Sequence, residues 1–331
     1  MLNYLNTAAL ILAQLLCLVE GLMKSIFNKK VSLFVAVSFA VIGALLIIFS
    51  LFIPAFNNWS FDRSNIDPVL AGNYGGFIGG VAGALFGLVS AILLFLNFHS
   101  QEKSSARQQL EARFFEMIRL HRDNVLEMHH QVPYYEYEYY EEGRRVFLSM
   151  HKQFREIYKI CSTVVGNQCS KEAVADIAYM FFFFGTSIES KKMIIPYLDK
   201  YKEVDGIYSL FDRLTQLKAT YSEDIVKHGG HQSRLGHYYR HLYQAVRYIH
   251  DNKDLTDIEK YGYIRMLRSQ LSTTEQAIFF YNSISQLGKD WRENGYVSEY
   301  QFIKNLPPNF VAPLEPKDYY PEIVFEYEGA G

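Results

Sequence analysis

Cysteine is scarce in this sequence, and its spacing excludes the two kinds of site that cysteines usually build. The 331 residues contain three cysteines, Cys17, Cys161 and Cys169, and no two of them form a C-x-x-C pair. A disulfide framework needs several paired cysteines, and a structural zinc site needs its ligands in short, closely spaced motifs. We therefore expect a protein of a reducing compartment, with neither disulfides nor a structural zinc ion.

Net charge and the familiar enzyme signatures are also lacking. The 33 basic and 35 acidic side chains leave a formal net charge of −2, so no overall basic field attracts nucleic acid. The sequence contains no G-x-S-x-G, no phosphate-binding loop and no H-E-x-x-H. His237 and His241 share a helical face, as the two histidines of a zinc helix do, but no third ligand accompanies them. We expect no cofactor and no metal.

Two long uncharged runs are what the sequence does contain. Val31–Ile53 and Tyr74–Phe98 each exceed the length of about 20 residues that a helix needs to cross a hydrocarbon core. A short loop separates them, so residues 31–98 are predicted to form a transmembrane hairpin. Basic residues flank the hairpin on both sides, whereas the loop holds only Arg63; the flanking residues are Lys24, Lys29, Lys30, Lys103, Arg107 and Arg113. This bias predicts a multi-pass protein of the inner (cytoplasmic) membrane with both flanks and the C-terminal portion in the cytoplasm.

The segment before the hairpin, residues 1–30, is apolar but interrupted by polar residues such as Asn3, Gln14 and Glu20. Three structures fit it: a further membrane helix, an interfacial helix or a signal-like segment. Met23 also resembles a start codon just ahead of a membrane span. We therefore expect that residues 1–22 are either dispensable or the product of an upstream start codon.

The second uncharged run carries a glycine at every fourth position, Gly75, Gly79, Gly83 and Gly87. Small residues at this spacing form a smooth groove in which another helix can approach closely. The groove receives either the first span of the same chain or a helix of a second copy. We expect a homo-oligomer, and an assembly that opens the membrane is the sharper form of that prediction. No charged residue lies in either run, which argues against a permanent ion pathway.

Helical periodicity continues after the second run. Residues 99–130 are predicted to form a stalk or the first helix of a bundle, with His121 in its apolar seam. The tyrosine-rich, acidic stretch 131–142 is predicted to be an exposed loop that begins near Pro133. The remainder of residues 131–306 is predicted to be a cytoplasmic α-helical domain whose last helix is Trp291–Leu306. A Pro-rich acidic tail, residues 307–331, is expected to be extended or poorly ordered. The fold class is all-α.

Residues 236–288 hold a conspicuous set of polar side chains on three predicted helices. The spacing places His237, Arg240 and His241 on one face of the first helix and Arg265 and Arg268 on one face of the second. Asn282 lies on the third helix, which begins with the capping box Ser272-x-x-Glu275. If the three helices pack as neighbours, these residues form a polar seam between them. We call the set His237, Arg240, His241, Arg265, Arg268 and Asn282 the polar seam; it is the candidate catalytic set, with His121 a weaker candidate.

The same block carries a family resemblance. Its segments GHYYRHLYQAVRYI, YGYIRMLRSQLSTTEQ and FFYNSISQLG resemble the phage abortive infection proteins, an AbiC-like bacterial family. Two earlier segments, FFEMIRLHRDNV at 114–125 and GRRVF at 143–147, are similar to the same family. The resemblance implies antiviral defence through growth arrest or death of the infected cell. The family takes its name from a phenotype, so the resemblance implies no reaction.

Three functions remain open at this point. We favour a membrane effector in which the helical domain senses a phage component and relays this signal of infection to the membrane hairpin. The alternative is a metal-independent ribonuclease-type toxin whose arginine and histidine bind phosphate and move a proton, with RNA as its substrate. The spacings Arg234-x6-His241 and Arg122-x6-His129 fit such an enzyme. The third function is a membrane-tethered scaffold without catalysis.

Overall fold

The computed structural model describes residues 29–56, 68–134, 137–216 and 230–328. The expectations for residues 1–28, and for the loop between the two uncharged runs, lie outside these described residues. The chain divides into two compact units, Met1–Leu110 and Glu111–Gly331. Helix dominates, so the all-α fold class is confirmed.

Two helices make up the described part of the first unit. Helix α1 is Lys29–Phe56, and helix α2 is Pro68–Leu126, whose last residues belong to the second unit. Lys30–Phe49 and Gly72–Leu126 are long and apolar enough to cross a membrane, judged by length and composition. At 1.5 Å per residue, the 59 residues of α2 extend about 90 Å, roughly three times the thickness of a hydrocarbon core. The prediction that the second run continues into a longer helix past His99 is confirmed.

Helix α2 contacts α1 without using its glycine stripe. A Cβ built on Gly43 of α1 would lie 3.4 Å from the ring of Phe86 on α2. A Cβ built on Gly75, Gly79, Gly83 or Gly87 has no atom within 4 Å. The close packing of α1 on these glycines, one of the two arrangements expected from the sequence, is therefore absent from the described residues.

The tyrosine-rich stretch after α2 forms a β-hairpin. Strand β1, His129–Tyr134, pairs antiparallel with strand β2, Tyr137–Glu142, in a register that matches His129 with Glu142. The prediction of an exposed loop over 131–142 was therefore wrong. Tyrosine favours strands, and the start of β2, Y-E-Y, alternates with the period of two that a strand requires. Pro133 is tolerated because a two-stranded sheet consists only of edge strands.

The helices of the second unit up to α9 begin and end close to the residues that the sequence indicated, whereas the C-terminal ones do not. In chain order they are α3 Arg145–Val165, α4 Lys171–Phe184, α5 Ile188–Leu198, α6 Ser209–Gln216, α7 Gln232–His250, α8 Asp257–Arg268, α9 Thr273–Ile284, α10 Lys289–Glu293, α11 Tyr296–Glu299 and α12 Pro316–Tyr319. The predicted capping box is confirmed, since the Ser272 side chain accepts from the Glu275 amide and the Glu275 carboxylate accepts from the Ser272 amide.

The core of the second unit lies where α3, α4 and α9 pack against one another. The rings of Phe154 on α3 and Tyr281 on α9 stack with centroids 3.8 Å apart, and Phe182 of α4 meets Phe154 edge-on at 5.7 Å. The run Tyr179–Phe184 of α4 has no polar alternation in the sequence, which indicates a buried helix, and α4 is buried almost throughout. Helix α7 contacts both α4 and α8 and so brings the family-like block onto this core.

Two expectations for the C-terminal region are corrected. The predicted helix Trp291–Leu306 is two short helices, α10 and α11, because Gly295 takes a positive φ of 72° between them. The segment after Leu306 is packed, and its buried apolar side chains include Val311, Leu314, Tyr320, Ile323 and Phe325. Proline predicts the absence of a long helix, but it does not prevent a turn-rich segment from burying its apolar residues.

Candidate functional site

The polar seam does not form as one surface. His237, Arg240 and Arg265 have exposed side chains, and Arg240 donates from Nε to the carbonyl of Gly236 in its own helix. Arg268 and Asn282 are buried, but they belong to two separate hydrogen-bond networks. The expectation that all six residues converge is therefore corrected, because the helices turn several of them to solvent. Their catalytic role stays a prediction.

Arg268 holds the chain that follows α11. Its side chain is 7% exposed, and Nη1 donates to the carbonyl oxygens of Tyr300 at 2.9 Å and Gln301 at 3.2 Å. Gln301 has a positive φ of 52°, so its backbone needs support from its surroundings. A buried arginine is costly unless it is paired, and here carbonyl oxygens supply the partners. Arg268 thus stabilises a strained turn.

Asn282 belongs to a chain of buried hydrogen bonds that joins three helices. Its Nδ2 donates to the hydroxyl of Tyr179 on α4 at 3.0 Å, and that hydroxyl donates to Tyr239 on α7 at 3.2 Å. Tyr239 in turn donates to the carbonyl of Ile278 on α9 at 3.0 Å. Burial raises the pKa of both tyrosines, so each keeps its proton at neutral pH. The chain ends on backbone and is suited to fixing the helices in place.

The structure assembles a different set of polar residues, which we call the polar cluster: His121, Arg144, Tyr238, His241 and Glu275. His121 on α2 packs its ring on Tyr238 of α7, with centroids 4.7 Å apart. Arg144 places Nε 3.6 Å from the Glu275 carboxylate and donates from Nη2 to the carbonyl of Gln270 at 2.7 Å. His121, Tyr238 and Glu275 are at most 2% exposed, whereas His241 is half-buried and Arg144 is exposed. Most of the polar cluster is therefore buried, and the Arg144 guanidinium lies at its solvent-exposed edge.

Burial shapes the protonation of the cluster. The pKa of His121 is lowered to about 4, mainly by burial and to a smaller extent by the nearby charges of His241 and Arg144. Burial also raises the pKa of Glu275, against the opposing effect of hydrogen bonds from Ser272 and the charge of Arg144. The Tyr238 hydroxyl faces Glu275, and its pKa lies well above the usual value because of burial and that carboxylate. At neutral pH, His121 is therefore uncharged and Tyr238 is protonated.

His121 carries an unmet hydrogen-bonding capacity. Neither of its ring nitrogens has a hydrogen-bond partner among the described residues, and Nδ2 of Asn124, one turn further along α2, is in the same position. A buried polar group without a partner typically costs about 1–3 kcal/mol. Folded proteins tolerate this cost most often where the side chain has a functional role in addition to its packing. His121 therefore becomes a stronger candidate than its sequence position indicated.

Three members of the cluster were not singled out from the sequence. Glu275 was explained by the capping box alone, although its carboxylate serves the cap and faces Arg144 at the same time. In the sequence, Tyr238 has the position of an ordinary core residue on its helix, and Arg144 stands out only as part of GRRVF. One signal was available: each member lies in a segment that carried the family resemblance. His121 is in FFEMIRLHRDNV, and Tyr238 and His241 are in GHYYRHLYQAVRYI.

Part of the chain that carried the family resemblance also matches a family model. Residues 230–311 match the family model described as putative phage abortive infection protein. The predicted family is confirmed over these residues. The matched stretch runs from the start of α7 past α11 and includes Tyr238, His241 and Glu275, whereas His121 and Arg144 precede it. No curated protein and no solved structure matches the chain.

The geometry gives little support to a metal site. It gives equally little support to phosphate binding by the pairs Arg234–His241 and Arg122–His129. Among the described residues, no group of three or more His, Cys, Asp or Glu side chains is arranged to hold a metal ion. Arg234 donates from Nε to the backbone carbonyl of His129 at 2.8 Å, which ties α7 to strand β1. Arg122 is exposed and lies 3.9 Å from Asp123.

Proposed function

We propose that the protein is a membrane-anchored abortive infection protein, in which the second unit relays phage infection to a hairpin in the bacterial inner membrane. The family match supports the defence role. The two long apolar helices support membrane association, and the lysines and arginines outside the two spans favour a cytoplasmic second unit. The bilayer, a phage component and further copies of the chain are its proposed partners.

One observation carries the proposal: α2 is a single helix from the glycine stripe to His121. Gly75 to Gly87 lie in its uncharged part, and His121 lies near its C-terminal end, buried against Tyr238. A continuous helix is a stiff element, so a change that repacks His121 is transmitted along it. Coupling of this kind requires a two-state element that both ends influence. We propose that α2 is this element.

The glycine stripe supplies the proposed output. All four glycines are exposed, and a Cβ on any of them has open space within 4 Å. Leucine at these positions therefore fits a single chain without a clash. Replacing a helical glycine also favours the helix by up to about 1 kcal/mol. A leucine that abolishes function would consequently indicate that a helix of another copy packs there.

The test uses Gly79→Leu and Gly83→Leu, with Ala84→Leu as a matched control at the same depth on a different side of α2. Phage protection, membrane potential and RNA integrity are measured after infection. We expect the glycine variants to lose protection and depolarisation, while Ala84→Leu keeps both. His241→Gln tests the ribonuclease alternative in the same assay. RNA cleavage that needs His241, with the membrane potential intact, would overturn the proposal.

A further inference from the structure

A cavity of about 530 Å³ lies in the second unit between α3 and the segment 311–314. Its volume is within the range of roughly 300–1,000 Å³ that is usual for small-molecule sites. None of its lining residues belongs to the polar seam or to the polar cluster. The cavity is therefore a separate feature of the same unit.

One wall of the cavity is basic. Lys152, Arg155 and Lys159 are spaced by three and four residues on α3, so they share one helical face and line the cavity together. Glu156 is the only acidic residue in the lining, which leaves an excess of two positive charges. Within the described part of the chain, none of the three cations takes part in a salt bridge. Their charge is available to an anion that enters.

The floor of the cavity is aromatic. Phe154 and Tyr281 stack with ring centroids 3.8 Å apart, and both line the cavity together with Tyr158. The Tyr281 hydroxyl lies 3.2 Å from Nδ1 of His151, behind the wall. Ser162 and Thr163 add hydroxyl groups to the lining. A basic wall beside aromatic rings matches a ligand with an anionic group on one side and a planar or apolar body on the other.

We propose that this cavity binds a small organic phosphate whose charged group contacts Lys152, Arg155 and Lys159 and whose planar body enters the cavity between α3 and the segment 311–314. Arginine can hold two phosphate oxygens at once, and the lysines add charge without a fixed geometry. Binding here does not require the membrane role to be correct. The cavity is then a ligand-binding site on the second unit, whichever effect the protein has on the cell.

The test is calorimetric titration of the full-length protein in a mild detergent with ADP, inorganic phosphate and a short-chain phosphatidylglycerol. We expect ADP to bind at least tenfold more tightly than inorganic phosphate, because only ADP offers a body that fills the cavity beside its charged group. Arg155→Gln is expected to weaken ADP binding at least tenfold. Lys253→Gln, an exposed lysine in the turn after α7, is the control and should leave binding unchanged.

A second readout locates the binding event. The charge of Arg155 contributes to the low pKa of His151, after burial. A phosphate beside Arg155 offsets that charge, so the His151 ring should titrate at higher pH when ADP is bound, as followed by NMR of labelled histidine. Absence of ADP binding at millimolar concentration, or equal binding by Arg155→Gln and Lys253→Gln, would overturn the proposal. Binding of phosphatidylglycerol alone would overturn it as well, in favour of a lipid headgroup.

Discussion

The buried, uncharged His121 should make the second unit sensitive to mild acid. Its pKa is lowered from 6.5 to about 4 on folding, mainly because burial disfavours the imidazolium ion. The unfolded chain therefore takes up a proton as the pH falls below 6.5, while the folded chain does not until the pH approaches 4. Stability is fully present above pH 6.5 and is lost as the pH falls through this window. At pH 5 the loss from this group is about 2 kcal/mol.

That magnitude is large against a typical total stability of about 5–15 kcal/mol. His151 contributes a second loss of the same sign, because burial and Arg155 lower its pKa to about 4 as well. Glu275 acts in the opposite direction. Burial raises its pKa, so its protonation stabilises the folded state as the pH falls. The parent and His121→Phe both retain Glu275, so the contribution of Glu275 to the pH dependence cancels in the difference between them.

The assay is urea unfolding at pH 7.5 and pH 5 in a mild detergent, followed by the emission of Trp291, which is 3% exposed in the second unit. The other tryptophan, Trp59, is replaced by phenylalanine in all samples. His121→Phe keeps a ring against Tyr238 and cannot titrate. We expect its loss of stability between the two pH values to be about 2 kcal/mol smaller than that of the parent. His237→Gln, at an exposed position, should behave as the parent does.

An unchanged pH dependence in His121→Phe would refute the reasoning. It would mean that His121 is already accessible to protons in the folded chain, and that its packing on Tyr238 is not a persistent contact. A pH dependence that disappears entirely would also contradict the structure, since His151 should retain a share.

Two further predictions concern the buried networks, each measured by the same unfolding assay at pH 7.5. Arg268→Met should lower the free energy of unfolding by about 2–3 kcal/mol, because the carbonyls of Tyr300 and Gln301 lose a charged donor. The control is Arg265→Met at an exposed position, which should change the free energy of unfolding by no more than about 0.5 kcal/mol. Equal effects of the two substitutions would contradict the assigned contacts. Ser272→Ala should cost about 1–2 kcal/mol because it removes the cap of α9 and a hydrogen bond to the buried Glu275; a neutral result would show that the cap is not needed.

Local rules predicted the parts of the fold that depend on residues close in sequence. The capping box at Ser272 identified the start of α9, and the apolar run of α4 indicated a buried helix. The β-hairpin was not predicted because an acidic, tyrosine-rich composition is also typical of an exposed loop. The long C-terminal helix was wrong because a single glycine, Gly295, outweighs an amphipathic pattern at this position.

The polar cluster lay beyond such rules because its contacts join distant parts of the chain. Arg144 and Gln270, which share a hydrogen bond, are 126 residues apart. A helical pattern shows that Tyr238 faces inward, but it does not show that His121 from α2 packs on it. Glu275 illustrates a further difficulty, because one sufficient explanation for a residue conceals a second role. Only the family-like segments, taken together, pointed to the place where these residues meet.

The packed C-terminal segment has a practical consequence for dissecting this protein. A boundary drawn after Leu306, where proline interrupts the pattern, separates a domain from an apparent tail. Cutting there would expose the surfaces that Val311, Leu314, Tyr320, Ile323 and Phe325 now cover. At about 1.5–3 kcal/mol for each buried apolar side chain, the cut removes an amount comparable to the stability of an entire domain. A truncated protein that fails to protect cells would therefore report unfolding, and fragments for functional mapping should retain the chain through at least Glu328.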